Sequence, residues 1–343
     1  MSTSNSQMRR EISEIAPVVE RLLSDGAAEI ERAAERLCEL DPRVIVTVAR
    51  GSSDHVATYL KYASELLLGV PVASVGASLA SIYRVPLKLD GAACLSVSQS
   101  GQSPDIVELA RAAARGGAMT LAITNAPDSP LAEASDICLD IRAGTEQSVA
   151  ATKTFVASAV TGLLLLAAWK RDDDLKAAIR ALPSALDRAA GLDWPEFRAA
   201  LEGRDSLYTL GRGPGFAMSN EAALKFKETC RLHAESYSSA EVMHGPVAIV
   251  EEGFPVLALA AADAAEASVA DVADAIAGMG GAVFATSTRA ARARPLDCVR
   301  TGHPLTDPIA LIVSVYAMVE AVAQARGIDP DAPRHLKKVT ETV

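Results

Sequence analysis

Hydrophobic and polar positions change period many times along the chain, and each change predicts an element. Between residues 8 and 40, Arg and Glu alternate with Ile, Val, Leu and Ala at helical spacing, broken at Pro17 and Gly26, which predicts two N-terminal helices. Residues 44–49 (VIVTVA) form a short β-branched run that leads into Arg50-Gly51-Ser52-Ser53, the pattern of a buried parallel strand, a tight turn and a helix over 54–68. A strand is expected at 70–75, a short helix at 77–83 and another buried strand at 92–97. That last strand runs into Ser98-Gln99-Ser100-Gly101-Gln102-Ser103-Pro104-Asp105 and a helix over 104–115, with Ser103 as its expected N-cap and Gly116-Gly117 at its end. Strands at 119–124 and 137–141 and a long apolar helix at 154–171 complete a unit in which strands alternate with helices, so the predicted fold is doubly wound α/β.

The pattern then recurs. A strand at 206–210 meets Gly211-Arg212-Gly213-Pro214, echoing 44–49 and Arg50-Gly51. Residues 221–246 (EAALKFKETCRLHAESYSSAEVMHGP) predict a helix and a polar turn that ends at His244-Gly245-Pro246. Strands at 247–250, 256–260 and 282–286 and helices at 265–279 and 308–326 follow. GGAMTLAITN at 116–125 pairs with GGAVFATSTR about 160 residues on, which predicts two copies of one α/β unit. The expected organisation is N-terminal helices over 1–40, a first domain over 41–170, a helical linker over 171–201, a second domain over 202–327 and a tail over 328–343.

Composition narrows the possible partners. Half of the residues are hydrophobic but only 4% are aromatic, which suits close helix-to-sheet packing and argues against stacking platforms for single-stranded nucleic acid. The net charge of −10, with no basic run, leaves no footprint for nucleic acid or anionic membrane. An anionic substrate would have to be held locally, by backbone N–H groups and a few cations. The five cysteines are scattered and never in CxxC spacing, so they read as small buried hydrophobes of a reducing compartment. The five histidines are equally dispersed, so no metal site and no cofactor is expected. Residues 1–15 lack the apolar core of a signal peptide, and the apolar run at 156–169 is too short to span a bilayer, so a soluble cytoplasmic protein is expected.

Four stretches could carry chemistry. In Ser98–Ser103 (numbers 98–103), hydroxyls, amides and a glycine sit between a strand and a helix N-terminus, the makings of a phosphate cradle. Residues 50–53 and 145–153 (TEQSVAATK) are polar loops at the carboxyl ends of strands, where open α/β sheets bind ligands. In 221–246, Lys225 and Glu228 lie three apart on one helix, and Leu224 and Leu232, four residues to either side of Glu228, would desolvate that carboxylate and favour a general base. His244 has no helical face to pack on. In the tail, Arg334, Lys337 and Lys338 lie among Leu336 and Val339, so it could dock and bring a lysine into a site.

SQSGQS at 98–103, VAATKTF at 149–155, the 221–246 run and DPDAPRHLKKVT at 329–340 together resemble the sugar isomerase (SIS) family in its double-domain form, in the manner of the isomerase half of the glutamine–fructose-6-phosphate aminotransferases. The resemblance covers about residues 44–343. It implies two tandem SIS domains, each a mainly parallel sheet flanked by helices, with N-terminal helices and a docked C-terminal tail. It implies that Ser98, Gln99, Ser100 and Ser103 hold a sugar phosphate, that Ser53 and Val149 contact the sugar chain, that Thr152 belongs to the same substrate- and phosphate-binding set, and that Glu228 moves a proton between C1 and C2. Lys225 would support Glu228, His244 would assist ring opening from the partner subunit of a homodimer, and Lys338 would stand at the C1/C2 end, able to form a Schiff base.

The chain departs from the aminotransferase pattern in SGQSPD where SGET is typical, in Ala151 where Ser is usual, and in opening Met-Ser with only about 40 residues before the first unit. These departures resemble the glutaminase-free branch, which includes amino-sugar-phosphate deaminases and fructosamine-phosphate deglycases. The leading expectation is a glucosamine-6-phosphate deaminase, with a deglycase, a galactosamine-6-phosphate deaminase, a glutaminase-lacking aminotransferase or a non-catalytic sugar-phosphate sensor as alternatives.

Overall fold

In the computed structural model, which describes residues 6–338, alternating apolar runs fold into strands that pair only in parallel. The first sheet comprises β1 (Ile45–Val48), β2 (Val72–Ser74), β3 (Ala93–Ser98), β4 (Met119–Thr124) and β5 (Ile137–Asp140). The second comprises β6 (Ser206–Gly211), β7 (His233–Ser238), β8 (Pro255–Ala258), β9 (Ala282–Ala285) and β10 (Arg294–Pro295). Their spatial orders are β2-β1-β3-β4-β5 and β7-β6-β8-β9-β10. Counted from its own first strand, each sheet has the same order, so the repeat seen in the sequence is a repeat of topology. Two parallel-sheet α/β units flanked by helices result, as expected.

Two compact units divide the chain. One holds Pro17–Glu146, Lys153–Arg180 and the described tail residues 335–338; the other holds residues 6–16, Gln147–Thr152 and Ala181–Arg334. In the first, β1 is buried on both faces: Val46 and Val48 join a core with Cys94, Ile106, Leu109 and Ala110, so they meet the helix Pro104–Arg115. The helices Ala27–Leu40, Ser52–Leu68 and Lys153–Lys170 pack on one another beside the same sheet. In the second, Tyr208, Val256 and Val283 line a core with Val269, Ala273 and Ile276 of the helix Glu266–Gly278. The helix Asp307–Ala325 packs against Pro214–Cys230.

The repeat extends to backbone detail. Gly51 and Gly213 each precede the helix that follows the first strand of their sheet, with φ/ψ of 55°/−133° and 57°/−137°. A Cβ at either position would meet nothing within 4 Å. Glycine is required there by backbone conformation alone.

Several expected elements are corrected. The N-terminal stretch makes three helices, Gln7–Ser13, Ile15–Asp25 and Ala27–Leu40. Pro17 falls in the first turn of its helix, where a missing N–H costs nothing. The polar turn expected before His244 is largely β7, a fully paired strand on β6. Its sequence HAESYS is polar because it is an edge strand, so the hydrophobic signal is weak there. The strand expected at 247–250 is instead the single 3₁₀ turn Pro246–Ile249. The linker is three helices, Asp173–Arg180, Leu182–Ala190 and Pro195–Ala200. Lys153–Lys170 and Asp307–Ala325 are long and apolar enough to cross a membrane, but 89% and 83% of their windows are buried, which makes them core helices.

Candidate active site

In the first unit the topological switch lies between β1 and β3, where the chain leaves neighbouring strands in opposite directions. Ligands of open α/β sheets bind at the carboxyl ends of such strands. Ser53 lies in the first turn of the helix Ser52–Leu68 that follows β1, and residues 98–103 run from the end of β3 to the next helix. Arg50 fastens the two loops together: its Nε donates to Asp105 Oδ2 at 2.6 Å, and Asp105 is 1% exposed.

Within the cradle, the hydroxyl oxygen of Ser98 accepts from the N–H of Gly101 at 3.1 Å, and that of Ser100 accepts from Gln102 at 3.3 Å. Each hydroxyl therefore keeps its own proton to donate to an anion. The carbonyls of Gln99 and Gly101 accept from the N–H groups of Asn125 and Leu131, so these two acceptors are occupied within the protein. Gly101 sits at φ +60°, and a Cβ there would lie 2.0 Å from Ser129 Oγ. Ser103 occupies the N-cap position of Pro104–Arg115, but its hydroxyl makes no capping hydrogen bond. The expected N-cap position is therefore right, and the hydroxyl is not used to cap the helix.

Asn125 ties this end of the sheet to the next loop, donating to Gly144 O at 2.7 Å and accepting from Ala143 at 2.9 Å. Glu146 follows, 5% exposed. It accepts from Thr154 Oγ1 at 2.6 Å and from Lys338 Nζ at 2.7 Å. Lys338 thus docks on a buried carboxylate, and the tail is anchored by it.

In the second unit, Glu228 lies near the end of the helix Pro214–Cys230, its side chain 20% exposed. Beneath it Lys225 is fully buried and bonds Glu228 Oε2 and, at 3.3 Å, Glu221 Oε1. Glu221 is 0% exposed and accepts from Tyr316 Oη at 3.2 Å. Burial alone would lower the pKa of the Lys225 ammonium, but the carboxylates of Glu221 and Glu228 outweigh it and push the value up to about 12. Lys225 is a fixed cation. The leucine flanks expected for Glu228 are half right: Leu224 is on the helix, but the helix ends at Cys230, Arg231 turns left-handed at φ 53°, and Leu232 lies beyond it. What shields Glu228 is the buried ion cluster.

His244 ends the 3₁₀ turn Glu241–His244 and is exposed. Val149 is half-buried and Thr152 fully buried in the same unit as Glu228. Ser53, Ser98, Gln99, Ser100, Ser103 and Lys338 belong to the other unit. Sequence reasoning passed over Glu221, Glu146, Asn125 and the Arg50–Asp105 tie. Glu221 was discoverable, because it stands four residues before Lys225 on a helix.

The second sheet has no counterpart of the cradle. After β8 the chain reads Leu259-Ala260-Ala261-Ala262-Asp263, without hydroxyls. Arg300 fills the space, donating to Ala260 O at 3.0 Å, Thr286 O at 2.7 Å and Asp307 Oδ2 at 2.6 Å.

The model of the SIS domain matches residues 40–168 and 200–285, one segment in each sheet. The chain belongs to the SIS domain family. A glutamine–fructose-6-phosphate aminotransferase (isomerizing) of Pyrobaculum aerophilum is 33% identical over 355 residues, which take in 98% of this chain and 58% of that protein. The chain therefore spans little more than half the length of that curated relative. A solved structure from Silicibacter pomeroyi DSS-3, provisionally described as a phosphosugar isomerase, is 63% identical with a TM-score of 0.93, covering 95% of this chain and 100% of that one. A glucosamine-6-phosphate deaminase from Thermotoga maritima has a TM-score of 0.80 at 20% identity, covering 98% and 100%, a likeness of SIS fold alone.

Proposed function

We propose that this SIS protein is an isomerising deaminase that converts glucosamine 6-phosphate to fructose 6-phosphate and ammonia. The observation that carries the proposal is a partly exposed carboxylate, Glu228, held on a buried, permanently charged ammonium. The phosphate is assigned to Ser98, Gln99, Ser100 and Ser103, and the sugar chain to Ser53, Val149 and Thr152. His244 opens the ring and exposes the aldehyde. Glu228 removes the C2 proton and returns it at C1. The imine left at C2 takes up water and releases ammonia, giving the ketose. Lys338 stands at the C1/C2 end. The exposure of His244 together with Met243 and Ile249, 37% and 56% exposed, favours a homodimer in which this segment reaches a partner's site.

The identity to an aminotransferase favours a second reading, glutamine-dependent synthesis of the amino sugar. The SGQSPD loop and Ala151, which depart from that pattern, weigh toward deamination. Ammonia release from glucosamine 6-phosphate, measured without glutamine, separates the two; tight binding without release would point to a sensor. Glu228→Gln is expected to lose at least about a hundredfold in turnover while still binding substrate. Near-normal turnover in that variant would sink the assignment.

A further inference from the structure

The N-terminal helix Gln7–Ser13 buries a carboxylate that the proposed chemistry does not use. Glu11 is 0% exposed, among Met8, Ile12 and Ile15, which are equally buried. An apolar residue would fill that position at lower cost, because a buried carboxylate must be repaid by donors. Glu11 has them. Its Oε1 accepts from the N–H of Gln147 at 2.5 Å and its Oε2 from the N–H of Ser148 at 3.2 Å, while Gln7 Nε2 donates to Oε1 at 3.2 Å. The two N–H groups are consecutive and open the segment Gln147–Thr152, which carries Val149 and Thr152. An ionised carboxylate takes both in charge-assisted bonds, which fixes the direction of the chain there more firmly than a neutral acceptor could.

The helix itself is clamped. Asp331 accepts from the N–H groups of Gln7 at 2.6 Å and Met8 at 2.8 Å. Ser6 accepts from Arg9 at 3.0 Å and donates to Glu320 at 2.7 Å. Glu11 is thus held on a braced element of its own unit, so its carboxylate can set the position of what it grips.

We infer that Glu11 is a positioning residue: through the N–H groups of Gln147 and Ser148 it sets the segment Gln147–Thr152 in place and so aims Val149 at the sugar, with the buried Thr152 behind it. The inference rests on the reading of Val149 as a substrate contact. The test uses the full chain with Glu11→Gln, whose amide can accept one N–H but turns a donor toward the other. Amide exchange at residues 147 and 148 should quicken about tenfold, while that of β4 stays as in the parent. KM for glucosamine 6-phosphate should rise about tenfold with kcat within about threefold, because binding rather than proton transfer is displaced.

Exchange and KM both within about twofold of the parent would overturn the inference, as would exchange that quickens equally throughout the chain, the mark of a merely structural role. If Glu11→Gln does not fold, Glu11→Asp keeps the charge and draws it back by one methylene, and about threefold changes in the same two readouts are expected. A parent protein that neither binds nor turns over glucosamine 6-phosphate would refute the proposed function instead. Exchange at 147 and 148 would still decide the role of Glu11.

Discussion

Lys225→Met removes an ammonium while keeping most of the apolar stem, so it isolates what the buried charge does. Lys225 and Glu221 are both 0% exposed, and Glu221 would be left with Tyr316 Oη at 3.2 Å in place of a full positive charge. Breaking a buried ion pair from one side costs about 3–5 kcal/mol, because the remaining charge stays desolvated. The pKa of Lys225 provides a lower bound. It rises from 10.5 to about 12 despite burial, because two carboxylates face it. That difference corresponds to about 2 kcal/mol.

A raised value means that the folded form holds the proton more tightly. This stability is therefore fully present below pH 10.5 and is lost as pH climbs through about 12. Truncation costs more than deprotonation because it removes, besides the charge, the N–H donors that a neutral amine would still offer Glu221 and Glu228. With about 2.1 cal/mol/K of unfolding entropy per residue over 343 residues, 3–5 kcal/mol lowers the melting temperature by about 4–7 °C if the chain unfolds as one.

Thermal melts followed by far-UV circular dichroism at pH 7 measure this directly, and a pH series gives a second signature. Without its cation, Glu221 should hold a proton above the ordinary glutamate range, so Lys225→Met should regain stability as pH falls toward about 4.3 and the parent should not. Adding Glu221→Gln to Lys225→Met should restore at least half of the loss, since the stranded charge is then gone. A loss below about 1 kcal/mol in Lys225→Met, or no recovery in the double variant, would refute the claim that this cluster is a mutually dependent charge network.

Two further variants probe the other unit. Gly101→Ala must leave φ +60° or push Ser129 aside, so the cradle should distort; calorimetric affinity for fructose 6-phosphate should fall at least about tenfold, and affinity within twofold of the parent would refute the phosphate assignment. Glu146→Gln leaves Lys338 without its charged partner, so tryptic cleavage after Lys338 should quicken severalfold; an unchanged rate would show that the tail is held by other contacts.

Local signals and chain-distant ones were not equally legible in the sequence. The repeat could be read because strand, turn and helix recur with their glycines, and Gly51 and Gly213 adopt nearly the same backbone angles. β3 and β4 were legible because both are buried almost throughout and their runs hold only apolar residues and small hydroxyls, with no charge. β7 was not, because an edge strand of alternating polar residues looks like a loop unless its partner β6 is known. Lys225 and Glu228 could be paired by helical spacing, whereas Glu11 could not be linked to Gln147, which lies 136 residues away. Burial of a carboxylate is a tertiary fact: nothing local distinguishes Glu11 or Glu146 from a solvated surface glutamate, and only the donors that the fold brings to them do so.

The same reasoning explains why a duplicated fold yields unequal units. Both sheets have the same strand order and a glycine before the helix that follows the first strand. The loop at 98–103, at the end of the third strand, has a left-handed glycine, hydroxyl donors and two carbonyls occupied within the protein. The equivalent loop after β8 has alanines and Asp263, whose carboxyl burial pushes its pKa up, beside Asp307 and Glu266. That environment favours a cation, and Arg300 is present with bonds to two carbonyls and to Asp307. A phosphate there would have to displace a guanidinium from a buried carboxylate, which costs more than the cradle's hydroxyl donors could return. The second unit instead places its polar residues one helix earlier, in Glu221, Lys225 and Glu228. Divergence of the repeat has thus left a hydroxyl-bearing loop in one unit and the buried Glu221–Lys225–Glu228 cluster in the other, by exchanging side chains on a shared strand order.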